Sequence, residues 1–286
     1  RLFTSLEKRG LLKLKIVNFT LDASFDEILN IKPKVIWIET PSNPLLRLTD
    51  ISKVVDTAKQ CGALVAADNT FLSPALQNPL ELGVDIVVHS TTKYINGHSD
   101  VVGGAVIAKT ADLGAELAWW ANNIGITGAP FDSYLTLRGI RTLNVRIKQH
   151  ELNAMAVAEY LEKSPYVEQV YYPGLKSHPQ HELAKKQQKG FGGMVSFDIK
   201  GDINDSAKFL TSVEQFTLAE SLGGVESLIC HPATMTHAGM DATARLEAGV
   251  GDTMIRVSVG IEDVQDLIND LERTFEATKP GVGSKS

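Results

Sequence analysis

The chain has 286 residues, 43% of them hydrophobic and 22% charged, the make-up of an ordinary globular protein of one large or two smaller domains. A formal net charge of −6 without any dense Lys/Arg run argues against a nucleic-acid surface, and no apolar stretch approaches the ~18 residues of a membrane span. Cys61 and Cys230 lack CxxC spacing, which speaks against a disulfide framework or zinc knuckle and suits a reducing cytoplasm.

The opening, RLFTSLEKRGLLKLKIV, has no initiator Met and no signal-peptide core, so it reads as mid-domain, with sequence expected before Arg1. Leu11 to Val17 alternates apolar and lysine residues and predicts a half-exposed strand. A short helix follows at Phe25 to Leu29, then a strand at Val35 to Ile38 that runs into ETPSNP, a loop kept extended by Pro41 and Pro44. The next helix starts near Thr49 or Asp50, carries Ile51, Val54, Val55 and Ala58 on one face, and stops at Gly62. Leu64 to Ala67 and Ile86 to Val88 are short aliphatic runs of the kind that form buried strands. Strand, helix, strand, segment, strand is the order of right-handed crossovers in a mostly parallel sheet.

Beyond Lys93, GHSDVVGGAVIA reads as a loop and a strand, with Gly103 and Gly104 allowing close backbone approach. Trp119 and Trp120 suit packing or a subunit interface. A long helical pattern from about Asp132 to Lys163 bridges into a second region. That region holds strands at Val167 to Tyr171, Met194 to Ile199 and Met254 to Val259, and helices near His181 to Gln188 and Asp205 to Leu210. A closing helix presents Val264, Leu267, Ile268, Leu271 and Phe275 on one face. The Gly/Ser/Lys tail after Pro280 is expected to be disordered. His89, His98, His181, His231 and His237 have no metal-ligand spacing and read as packing or solvent residues. No GxSxG, HExxH or Walker pattern occurs.

Three successive strands end in polar loops, at Asn43, at Asp68 and at Ser90-Thr91-Thr92-Lys93. In an open parallel sheet these ends meet at the carboxyl edge, where ligands bind. An amine, a carboxylate and hydroxyls there suit an anionic aromatic cofactor held covalently, because a partly desolvated lysine can lose its proton and form a Schiff base. Taken singly, the same residues are equally a surface lysine, a helix-capping aspartate and a turn asparagine. Arg256 lies inside an apolar strand and needs an anionic partner, either a structural carboxylate or that of a substrate.

AADNTF followed by HSTTKYINGHSDVVGG resembles the cofactor-binding core of the Cys/Met-metabolism family of pyridoxal-phosphate enzymes, the cystathionine γ-synthases, β-lyases, γ-lyases and their relatives. The resemblance implies an α/β fold of fold type I: a mostly parallel sheet sandwiched by helices, like the large domain of aspartate aminotransferase, with a smaller C-terminal α/β domain. It divides the chain into 1–145, most of the cofactor-binding domain, and 146–286, the small domain with its connecting helix. It implies pyridoxal 5'-phosphate carried on Lys93 as an internal aldimine, Asp68 facing the pyridine nitrogen, and Ser90 and Thr92 helping to hold the phosphate. Asn43 would meet the cofactor's phenolic oxygen and the substrate carboxylate, Arg256 would anchor that carboxylate, Ser221 would sit beside the lysine, and Glu220 would lie near the amino-acid ligand or else be a surface carboxylate.

AWWANNIGITG, AESLGGVESLI and HPATMTHAGM are similar to the bacterial γ-synthase branch. That similarity implies γ-replacement, in which an O-succinyl- or O-acetylhomoserine and cysteine give cystathionine on the way to methionine. Elimination by a cystathionine or methionine γ-lyase is the alternative. The family also implies a cytoplasmic homotetramer of dimers with shared active sites. Its members carry, before the point matching Arg1, a Tyr-x-Arg pair, a Gly-rich phosphate loop and a ring-stacking tyrosine, so a non-catalytic homologue or a subunit needing a partner is a further alternative.

Overall fold

The computed structural model describes residues 2–281; the tail expected to be disordered lies outside them from residue 282 onward. Helices α1 (Leu2–Lys8) and α2 (Ala23–Ile31) precede strand β1 (Val35–Glu39), α3 (Ile51–Cys61), β2 (Leu64–Asp68), α4 (Ser73–Leu76), β3 (Ile86–Ser90) and β4 (Gly104–Ala108). The strands form a sheet in the order β1-β2-β3-β4, parallel across the first two pairings and antiparallel across the last. The α3 helix starts where the Asp50 carboxylate accepts the Lys53 N–H and ends at Gly62, whose φ of 69° is left-handed. Its buried Ile51, Val54, Val55 and Ala58 pack on Ile36, Ile38, Val65 and Ala67 of the sheet, each aliphatic side chain contributing roughly 1.5–3 kcal/mol of burial.

Leu11 to Val17 is not a strand. Leu12 and Leu14 are half-buried while Leu11, Lys13 and Lys15 are exposed, but the alternation breaks at Ile16, which is 81% exposed, and no neighbouring strand among the described residues supplies a ladder. At the close backbone approach expected of Gly103, a Cβ would meet the Thr91 hydroxyl at 2.7 Å; at Gly104 it would meet nothing nearer than 3.6 Å, so Gly104 is not required there.

After α5 (Ala111–Ile124), the long helix α6 (Pro130–Lys163) leads to β5 (Val167–Tyr171), α7 (His181–Gln187), β6 (Met194–Ile199), α8 (Ile203–Ser212), β7 (Thr217–Leu218), β8 (Leu228–Cys230), α9 (Ala242–Glu247), β9 (Met254–Ser258) and α10 (Val264–Thr278). A second sheet runs β5-β6-β9-β8-β7, antiparallel except between β7 and β8. Val157 and Leu161 of α6, Phe209 of α8, and Leu267, Leu271 and Phe275 of α10 close over Phe197, Ile255 and Val257 to make its core.

The α6 helix joins the two sheets. The Arg146 guanidinium donates to the carbonyls of Tyr94 at 2.8 Å and Ile95 at 3.3 Å, beside the first sheet. One turn on, His150 Nδ1 donates to the Val259 carbonyl at 2.7 Å, and Asn153 Nδ2 reaches the Gly260 and Glu262 carbonyls at 3.0 and 2.8 Å, at the end of β9. Gly139 lets the helix approach the Ile95–Asn96 backbone, because a Cβ would stand 2.5 Å from the Asn96 carbonyl oxygen.

His150 is fully buried, and that burial, opposed by the Val259 carbonyl, holds its pKa down to about 4. An unfolded histidine titrates near 6.5, so the unfolded chain takes up this proton first. The stability that rests on neutral His150 is therefore present above about pH 6.5 and is lost as the pH falls towards 4, by at most about 3 kcal/mol. Melting temperatures across that window should fall less steeply in His150→Gln than in the parent.

Candidate active site

Strand tips from the first sheet and a loop and strand from the second enclose a cavity of about 730 Å³. It is lined by Asn43, Asp68, Ser90, Thr92, Lys93, Glu220, Ser221 and Arg256, so every candidate from the sequence reaches one space. Glu39, Thr70 and Thr236 line it too and were not anticipated.

The tips are fixed by side-chain-to-backbone bonds. Thr70 donates its N–H to Asp68 Oδ1 at 2.9 Å, and its hydroxyl accepts the Ser90 N–H at 2.9 Å, tying the end of β2 to the end of β3. Buried Asn69 donates to the Ser73 and Gln77 carbonyls at 3.1 and 2.9 Å, and Gln77 in turn donates to the Thr40 carbonyl at 3.2 Å, linking the loops after β1 and β2. The Thr92 hydroxyl accepts the Gly103 N–H at 3.0 Å.

Lys93 follows directly. Its amine donates to Ser221 Oγ at 3.1 Å, across from one sheet to the other. Partial burial, and then the nearby Arg256 cation, lower its pKa below the usual lysine value and so enlarge the neutral, nucleophilic fraction. Gly223 lets the Ser221 loop lie against the lysine backbone: its φ is +75°, and a Cβ would meet the Tyr94 nitrogen at 2.8 Å.

Arg256 lies mid-strand in β9 and is 2% exposed. Its guanidinium donates to the Glu220 carbonyl at 2.5 Å, the Ser221 carbonyl at 3.0 Å and Asn43 Oδ1 at 3.1 Å, while its buried Nε has no partner among the described residues. No carboxylate pairs with it among those residues, so the structural ion pair left open by the sequence is not formed. A buried cation with a spare donor suits an anionic ligand.

Glu39 is the acid the sequence reading missed. It ends β1 directly beside Asp68 in the parallel register, and its Oε1 accepts the Asn43 N–H at 3.0 Å. Although it opens onto the cavity, the walls restrict its hydration; that enclosure and then the Asp68 charge push its pKa up to about 7, against the pull of the Asn43 N–H. The signal was present in the first residue of ETPSNP, a carboxylate at the same strand edge as Asp68.

The histidines mostly pack, as expected. His89 is 3% exposed, His231 is bonded to Thr234, and His181 stacks on Phe191. His237 is bonded to Thr236 of the cavity wall and lies near Arg256. Trp119 and Trp120 form an edge-to-face pair yet are 57% and 51% exposed, so they do not pack within the chain.

An open α/β sheet whose carboxyl edge presents a lysine, an aspartate and hydroxyls, closed by a smaller sheet that carries a buried arginine, is the fold type I pyridoxal-phosphate architecture. The model of the Cys/Met metabolism PLP-dependent enzyme family matches residues 1–276. Cystathionine gamma-synthase of Escherichia coli is 55% identical over 281 residues, covering 98% of this chain and 73% of that one. Cystathionine gamma-lyase of Dictyostelium discoideum is 50% identical over 276 residues, covering 96% and 71%. The structure of cystathionine gamma synthase from Xanthomonas oryzae pv. oryzae in complex with aminoacrylate and cysteine superposes with a TM-score of 0.96 at 54% identity, over 98% of this chain and 73% of that one. The chain belongs to the Cys/Met-metabolism family of pyridoxal-phosphate-dependent enzymes, whose members here are cystathionine synthases and lyases. It is an enzyme of the transferase or carbon–sulfur lyase type, and pyridoxal phosphate is its cofactor. The residues present fit that group: an amine whose pKa is lowered, a carboxylate and the hydroxyls of Ser90 and Thr92 share one cavity.

The depressed Lys93 pKa has a direct consequence. Reductive alkylation of the cofactor-free protein at about pH 8 should modify Lys93 faster than exposed lysines such as Lys13. Peptide mapping after brief exposure checks the order.

Proposed function

We propose that the chain is a cystathionine γ-synthase: it joins an O-succinyl- or O-acetylhomoserine to cysteine, forming the Cγ–S bond of cystathionine as the acyl group leaves as a carboxylate. The observation that carries this reading is the similarity to cystathionine gamma-synthases, 55% identity to that of Escherichia coli over 98% of this chain, against 50% for the γ-lyase, with Lys93, Ser221, Arg256 and Asn43 joined by hydrogen bonds at one cavity.

Bound pyridoxal phosphate supplies an electron sink for the negative charge that develops at Cα. On this reading Lys93 would hold the cofactor, and its amine would take the Cα proton and pass it on as a general base. Ser221, within 3.1 Å of the Lys93 amine, orients it. Asp68 keeps the ring nitrogen protonated, and Ser90 and Thr92 help to hold the phosphate. Arg256 and Asn43 grip the α-carboxylate. Glu220, whose carbonyl already receives an Arg256 N–H, stands at the amino-acid side of the cavity. The same reading divides the chain at about residue 145, within α6, into a cofactor-holding part and a smaller C-terminal part.

The 50% identical γ-lyase supports a second reading, elimination from cystathionine to release cysteine and 2-oxobutyrate. The holoenzyme supplied with an O-acylhomoserine and cysteine, and separately with cystathionine alone, separates the two: faster cystathionine formation in the first assay supports the synthase, and faster cysteine release in the second identifies a lyase. Lys93→Ala should lower either rate at least about a thousandfold and remove the visible band of covalently held cofactor. A variant that keeps both would sink the assignment.

The partner reading is a second copy of the chain. No residue of α5 is buried, and Trp119, Trp120, Ile124, Phe131, Tyr134 and Leu137 expose an apolar face along α5 and the start of α6. A homotetramer of dimers covers such a face. Two unpaired cysteines, one of them buried, accord with a cytoplasmic location, and no helix among the described residues is long and apolar enough to cross a membrane. Sedimentation should give four chain masses for the parent and smaller species for a Trp119→Asp/Trp120→Asp double variant; a monomeric parent would overturn this reading.

A further inference from the structure

The loop between β1 and α3 is held by backbone and hydroxyl contacts and by two histidines, His178 at the Leu46 backbone and His237 at the Asn43 backbone. Thr49 donates its N–H to the Thr40 hydroxyl at 3.1 Å, Ser42 donates its N–H to the Arg47 carbonyl at 2.9 Å, Leu46 donates to the Ser42 carbonyl at 2.9 Å, and Ser196 donates to the Pro44 carbonyl at 2.6 Å. The Asn43 N–H is received by a carboxyl, that of Glu39, at 3.0 Å. Asn43 is also where the loop touches the second sheet, its Oδ1 accepting from Arg256 Nη1 at 3.1 Å. One carboxyl thus sits at the root of a chain of contacts that runs Glu39, Asn43, Arg256, and from there through the Glu220 and Ser221 carbonyls to the loop that orients Lys93.

Two features mark Glu39 as more than a loop staple. It opens onto the cavity rather than into the core, beside Asp68, so the chain keeps two carboxyls at neighbouring strand ends despite their mutual repulsion. And Arg256, the group at the far end of its contacts, is 2% exposed with an unpaired Nε, so a small displacement of Asn43 alters how that guanidinium is aimed. Asp68, Lys93, Glu220, Arg256 and His237 are titratable or charged groups around this line, His237 bonding the Asn43 backbone.

We propose that Glu39 is the positioning residue of the carboxylate anchor: by receiving the Asn43 N–H it holds the Asn43 amide against Arg256 and so sets the affinity for the α-carboxylate of an amino-acid ligand. This rests on reading Arg256 as that anchor. Glu39 touches neither substrate nor cofactor in this role. It acts through Asn43, and its loss weakens recognition of the carboxylate while leaving recognition of the amine in place.

The test uses the holoenzyme and two unreactive probes, glycine, which has both amine and carboxylate, and methylamine, which has only the amine. Their dissociation constants are read from the change each causes in the visible spectrum of the bound cofactor. Glu39→Leu should bind glycine about tenfold more weakly, the worth of one hydrogen bond at this site, and methylamine within about twofold of the parent. Glu39→Gln, which keeps an oxygen acceptor in place, should restore glycine binding to within about threefold. If the leucine variant does not fold, Glu39→Asp, which withdraws the carboxylate by one methylene, replaces it with the same expected glycine loss. Equal weakening of both probes, unchanged glycine binding, or a glutamine variant as weak as leucine would each overturn the proposal. Arg256→Leu isolates the premise: if it fails to lose glycine selectively over methylamine, the anchor reading falls and the proposal with it, whereas selective loss there with no effect at Glu39 removes the proposal alone.

Discussion

The contact on which the site depends is the 3.1 Å hydrogen bond from the Arg256 guanidinium to the Asn43 amide oxygen. It is a bond between sheets. Asn43 belongs to the loop after β1, and Arg256 to the middle of β9, separated by more than two hundred residues of chain. Burying a guanidinium costs several kcal/mol unless its donors are satisfied, and here two carbonyls and one amide oxygen satisfy part of them. The remaining buried Nε keeps the arginine under-satisfied in the protein alone. The cost of that unmet donor is tolerable because the surrounding strands are packed: Ile255, Val257 and Ile229 beside it are fully buried, so the guanidinium has nowhere to withdraw to.

What keeps the two sheets at the spacing this bond requires is α6. Arg146 grips the turn after Lys93, and His150 and Asn153 grip the end of β9, so the lysine turn and the arginine strand are both referenced to one rigid rod. The fully buried Tyr94 ring lies edge-to-face on His150 at 5.2 Å and fills the space between them. Catalytic geometry held within a fraction of an ångström needs that kind of support from elements rather than loops.

The elements legible in the sequence are those whose signals are local. The Asp50 cap, the Gly62 stop and the apolar face between them define α3 without reference to anything distant, and the aliphatic runs at Leu64 and Ile86 sit where expected because buried parallel strands look alike everywhere. The strand at Leu11 failed because pleating pattern cannot supply a pairing partner. The two- and three-residue strands β7 and β8 went unseen because they exist only through their neighbours. At the site, Asp68 and Lys93 stood out through the motif around them, while Glu39 did not: its importance lies in a register, opposite Asp68, and in a bond to Asn43, neither of which a linear reading contains.

The cavity that results is polarised from one end to the other. Lys93 and Arg256 both line it, and the Arg256 cation, after partial burial, is part of why the lysine pKa is lowered. Asp68 and Glu39 lie at neighbouring strand tips on the side of the first sheet, where enclosure and then the Asp68 charge lift the glutamate. A ligand with an anionic carboxylate and a cationic ring nitrogen placed in the opposite sense relieves both repulsions at once. Synthase and lyase chemistry make the same demand up to the point where a second substrate enters, so this field favours the cofactor-bound amino acid equally in both.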